Sequence, residues 1–160
     1  MKSELINLFA KIREIPLRNP EFVADEDNRC WGKHRKLKKL LENKGYKVRY
    51  RIVSFKWAEQ RFPKEILAIP HREEDYHLFL EININNKWTI IDASNDAKLP
   101  DYNDWDGETD CKISLKYKKL FSPSESKIIE AEERGKFNEL YKENKDFYIA
   151  VNKFFQSIRK

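Results

Sequence analysis

Tyr76-His77-Leu78-Phe79-Leu80-Glu81-Ile82-Asn83-Ile84 and Lys87-Trp88-Thr89-Ile90-Ile91-Asp92-Ala93-Ser94 are joined by Asn85-Asn86. In the first run, Tyr76, Leu78, Leu80, Ile82 and Ile84 alternate with other residues, as expected of a strand with one apolar face. The second run is a strand over Lys87 to Ala93. Asparagine tolerates the left-handed conformation that a two-residue hairpin turn demands, so Asn85-Asn86 suits the connection. A two-residue turn makes paired residue numbers sum to 171. Phe79 then faces Asp92 and His77 faces Ser94. His77 and Asp92 become diagonal neighbours, about 7–8 Å apart at the backbone, a gap that two side chains can close to a hydrogen bond.

Upstream, Leu5, Leu8, Phe9 and Ile12 repeat with helical spacing and predict a helix from about Ser3 to Arg13. Ile15-Pro16 ends it, and a loop with Pro20 follows. A second helix is expected from Asp27 or Asn28, either one serving as N-cap, to about Asn43, with Gly45 as its stop. Lys47 to Trp57 reads as a strand, and Arg61 to Asp75 as a loop. Downstream, residues 94–110 are polar and turn-rich, and a short strand is placed near Cys111 to Leu115. Ser122-Pro123-Ser124-Glu125 is a capping box with proline at the first helical position. The helix it starts should falter near Gly135. Phe137, Leu140, Tyr141, Phe147, Tyr148, Val151, Phe154, Phe155 and Ile158 then outline a long amphipathic helix. Helices, a compact sheet, then helices make an α+β fold with an antiparallel sheet. One domain is expected, with a core of about residues 14–121 and a helical extension over about 122–160.

The chain has 160 residues, 40% hydrophobic and 37% charged, which fits one small domain with a solvated surface. No apolar run approaches the roughly 20 residues that span a bilayer. Met1-Lys2-Ser3-Glu4 leads into an amphipathic stretch, not a signal-peptide core, so a cytoplasmic protein is expected. Two cysteines, Cys30 and Cys111, make no disulfide framework.

Cys30 lies in the first turn of the second predicted helix. Unpaired N–H groups and the positive end of the helix dipole stabilise a thiolate there, and the same N–H groups suit an oxyanion. A thiolate is the nucleophile that acyl transfer needs. Taken alone, Cys30 also reads as a small core residue, since Leu37 and Leu41 continue its face. The hairpin adds a carboxylate, Asp92, able to hold the His77 imidazole in one tautomer and leave its other nitrogen for a thiol.

These residues together resemble a known family. Asn28-Arg29-Cys30-Trp31-Gly32-Lys33-His34, followed by an aliphatic helix and Gly45-Tyr46-Lys47-Val48-Arg49-Tyr50, is similar to the nucleophile helix and next strand of the transglutaminase-like superfamily. Tyr76 to Glu81 resembles its histidine strand, and Trp88-Thr89-Ile90-Ile91-Asp92-Ala93-Ser94 its W-x-x-x-D-A-T aspartate strand. Phe55-Lys56-Trp57 and Trp105-Asp106-Gly107 look like features of short stand-alone members. The resemblance spans about residues 14–130. It implies a papain-like arrangement in which Cys30, His77 and Asp92 form a triad. It also implies acyl transfer on amide bonds of a peptide or protein substrate through a thioester, with no cofactor. Members include protein crosslinkers, peptidases, deamidases and peptide N-glycanases. The chain departs from the pattern at Asn28, where glycine is frequent, and at Ser94. Trp31, Trp57 and Asn28 are the candidates for a cleft side chain that meets the oxyanion.

Other conspicuous residues have competing readings. Cys30 and His34, with His71, His77 or Cys111, would make a metal site, although no second close ligand pair appears. His34 reads instead as a hydrogen-bonded packing residue, and Cys111 as structural. Lys33, Arg35, Lys36, Lys38, Lys39, Lys44, Lys47, Arg49 and Arg51 form a basic cluster. A non-catalytic module of the same fold would use it to bind nucleic acid or an acidic partner; a solvated face is the favoured reading. The aromatic face of the last helix is expected in the core; left exposed, it would be a partner surface.

Overall fold

The computed structural model describes residues 1–160. In chain order it contains α1 (Lys2–Arg13), α2 (Cys30–Asn43), β1 (Val48–Lys56), a single 3-10 turn (Trp57–Glu59), α3 (Lys64–Leu67) and β2 (Glu74–Ile84). There follow β3 (Lys87–Ile91), β4 (Lys119–Leu120), α4 (Pro123–Gly135) and α5 (Phe137–Ile158). The four strands form one antiparallel sheet in the order β3-β2-β1-β4. No helix is long and apolar enough to cross a membrane.

The hairpin has the expected register as far as Leu80 and Ile91, but β3 ends there and not at Ala93, so the expected pairs Phe79–Asp92 and His77–Ser94 lie beyond the ladder. Leu80 pairs with Ile91 and Ile84 with Lys87. Asn85 and Asn86 both adopt positive φ, 51° and 64°. β2 is flanked by strands on both sides, and His77 to Ile82 are buried without a break. Leu80 and Ile82 join Leu5, Phe9, Ile12, Leu37 and Leu41 in the main core. Leu78 packs with Ile52 and Trp31 beside it. A separate cluster forms where Tyr141, Phe147, Tyr148 and Val151 of α5 cover Trp57, Phe62, Ile66 and Ile69. The aromatic face of the last helix is therefore largely interior.

Three local expectations are corrected. Neither Asp27 nor Asn28 caps α2: Arg29 is the N-cap, and Cys30 is the first helical residue. The Asp27 carboxylate instead accepts the Arg29 N–H at 3.1 Å and grips the Arg29 guanidinium, which shapes the turn that precedes the helix. The strand expected near Cys111 to Leu115 does not form. The Ser114 N–H is taken by Asp92 and the Lys116 N–H by Gln60, so side chains replace a strand partner there. Within the loop expected from Arg61 to Asp75, α3 packs on α5, and Glu74 and Asp75 already belong to β2.

Candidate functional site

Cys30 owes its position to the start of α2. Arg29 is extended, no side chain caps the helix, and no acidic residue lies in its first turn. The first N–H groups of an α-helix have no acceptor within it, so the dipole's positive end lies at the half-buried Cys30 unopposed by a capping carboxylate. Cys30 and His77 line a single cleft of about 540 Å³.

Behind His77 sits Asp92, which is 1% exposed. The His77 Nε2–H donates to Asp92 Oδ2 at 2.8 Å, which leaves Nδ1 as the ring's other nitrogen. Asp92 also accepts from the N–H and hydroxyl of Ser94, at 3.0 and 2.6 Å, and from those of Ser114, at 3.0 and 3.1 Å. Burial opposes its charge, but His77 first and then the Ser94 hydrogen bond prevail and hold the carboxyl well below the usual range. Burial likewise disfavours a charged His77; Asp92 first, then Cys30, outweigh it and raise its pKa above the ordinary imidazole value. Cys30 and His77 line the same cleft. The structure brings the three predicted residues to one place: an anion in the interior, an imidazole against it, and a sulfur at the cleft.

His34 supports this group from within α2. Its Nδ1–H donates to the Cys30 carbonyl at 2.9 Å, and its Nε2 accepts the Ala93 N–H at 2.9 Å. These bonds require the neutral ring, and burial lowers its pKa to about 4. Lys33, assigned by its sequence neighbours to a basic face, is fully buried. Its ammonium donates to the carbonyls of Arg13, Ile15 and Ser94 at 3.1, 2.7 and 2.6 Å, and burial lowers its pKa to about 8. It joins the end of α1 to the segment after β3, directly below Cys30 in sequence and helix.

The other cleft candidates separate. Trp31 and Trp57 line the cleft, and Asn28 does not. The Trp57 indole N–H is engaged by Asp75 at 3.2 Å. The Asn28 carbonyl accepts the Arg18 N–H, and its side-chain oxygen accepts from Lys36. Asn28 thus braces the loop outside the cleft. His71 stacks on Phe147, with ring centroids 4.0 Å apart. Cys111 packs against the main core, and burial pushes its thiol up to about 12. No group of three or more His, Cys, Asp or Glu residues is arranged to hold a metal ion.

The basic cluster is mostly neutralised. Arg35 pairs with Glu130, Lys36 with Glu26, Lys38 with Glu42, Lys44 with Glu4, and Arg49 and Arg51 with Glu81. Sequence reasoning missed Ser94, Ser114 and Lys33 as parts of the site. Ser94 carried a signal, being two residues after Asp92, where a carboxylate commonly accepts a local N–H. Ser114 lies 22 residues away and carried none. No protein-family model, curated protein or solved structure matches the chain.

Proposed function

We propose that the protein is a cysteine-dependent acyl-transfer enzyme of transglutaminase-like type, acting on amide bonds of peptides or proteins. The observation that supports this most is the buried His77–Asp92 pair beside Cys30 at a helix start, opening on one cleft. Cys30 sulfur attacks the amide carbonyl and its proton passes to His77. The N–H groups at the start of α2 meet the developing oxyanion. The C–N bond breaks as His77 returns the proton to the leaving amine, and a thioester remains on Cys30. Water or a second amine then attacks the thioester, with His77 as base. Asp92 keeps the proton on Nε2, so that Nδ1 does the exchange.

The test is alkylation of Cys30 by iodoacetamide near neutral pH, followed on the Cys30 peptide by mass spectrometry. His77→Gln is expected to slow it about tenfold, and Asp92→Asn in the same direction, in variants whose circular dichroism matches the parent. Rates unchanged in both folded variants would sink the reading.

A further inference from the structure

One wall of the cleft belongs to α5. Tyr148, Val151, Phe155 and Ile158 line it at helical spacing, together with Phe154. Tyr148 and Val151 are buried and form its base, while Phe154, Phe155 and Ile158 are only half-buried. Phe62 lies between this helix and the 3-10 turn, its ring centroid 5.4 Å from Trp57, 5.5 Å from Phe154 and 6.0 Å from Phe155. An aromatic surface therefore faces the same space as Cys30 and His77, in a volume typical of a ligand pocket.

The rim has the opposite character. Arg61, Lys112 and Lys116 line the cleft, are exposed, and have no carboxylate partner among the ion pairs of the molecule. The lining carboxylates Glu59 and Asp75 are paired with Lys118 and Arg72, which leaves Asp101 alone against the three cations. An apolar interior beneath a net positive rim selects on two properties at once.

We propose that the substrate is an acidic peptide segment presenting a bulky apolar or aromatic side chain beside the amide that Cys30 attacks. The side chain occupies the space bounded by Phe62, Phe154 and Phe155, and flanking carboxylates meet Arg61, Lys112 and Lys116. This rests on the acyl-transfer reading above and adds the substrate class to it.

The full chain is labelled with three N-iodoacetyl dipeptide amides, carrying Phe-Glu, Ala-Glu or Phe-Lys. In each, Cys30 sulfur bonds to the methylene carbon and iodide leaves, so chemistry is constant and only recognition differs. Phe-Glu is expected to label Cys30 about tenfold faster than Ala-Glu. It should also outpace Phe-Lys several-fold at low salt, a difference that fades near about 0.5 M salt. Phe155→Ala should shrink the first ratio, and Lys112→Glu, at an exposed position, should bring the second close to one. Equal rates for all three probes, with iodoacetamide labelling still dependent on His77, overturn the substrate class and leave the acyl-transfer reading standing. Labelling independent of His77 removes both.

Discussion

At the scale of single residues, the site is a chain of buried groups whose protonation states depend on one another. Asp92 stays anionic because donors surround it, and His77 holds a proton because Asp92 is anionic. His34 must stay neutral, since one ring nitrogen donates to Cys30 and the other accepts from Ala93. That requirement links stability to pH. An unfolded histidine takes up a proton below about 6.5, whereas folded His34 resists until about 4. The contribution of His34 to stability is therefore intact above about pH 6.5 and is lost as pH falls from there to about 4, a passage worth about 3 kcal/mol. In His34→Gln, whose amide keeps one donor and one acceptor, urea midpoints should fall less steeply over that interval than in the parent. Parallel midpoint curves would contradict this role. In the sequence, His34 was legible as a packing residue near Cys30, because four residues along a helix return to the same face. Its partner Ala93 was not, since nothing local joins positions 59 residues apart.

At the scale of elements, the start of α2 decides where the sulfur lies. A Cβ on Gly32 would stand 1.7 Å from the Asp27 carbonyl oxygen, well inside any real contact. The turn at Asp27 can fold back against the helix only because Gly32 has no side chain. Gly32→Ala is expected to cost about 2 kcal/mol or more and to push Cys30 away from His77. Chemical denaturation reads the first effect and slower iodoacetamide labelling the second. The approach of Asp27 also explains why the N-cap expected there failed: its carboxylate is spent on Arg29. The other helix start behaved as expected. Ser122 accepts the Glu125 N–H while Glu125 reaches back to the Ser122 N–H. Both partners lie within four residues, so the motif could be read directly. Ser122→Ala should lower stability by about 1 kcal/mol, measured by thermal or urea unfolding, without changing Cys30 labelling.

At the scale of the whole molecule, the segment after α1 and the residue that ends α5 meet at the cleft's edge. Asp96 accepts the Leu17 N–H at 2.9 Å and pairs with Arg159 at 3.1 Å. Arg159 also donates to the Leu17 carbonyl at 2.8 Å. Ser94, Asn95, Leu99, Pro100 and Asp101 of the loop around Asp96 line the cleft. Arg159→Ala removes the tie from α5 to this loop. Hydrogen exchange should accelerate at Leu17 and over residues 94–101, with about 1–2 kcal/mol of stability lost. Unchanged exchange in that loop would show that the tie does not hold the rim.

The sequence alone determined what depends on neighbours in the chain: the hairpin and its register, the helix periods, the capping box at Ser122, and hence the His77–Asp92 pair. A two-residue turn admits one register, so a long-range pairing reduces to a local rule. Tertiary structure decided the rest. It brought Ser114 onto Asp92, buried Lys33 among three carbonyls, spread most of the basic cluster over carboxylates from other elements, and turned α5 into a wall of the cleft. Each of these joins segments whose separation in the chain leaves no periodicity or motif, and only packing of the assembled elements selects among the partners available.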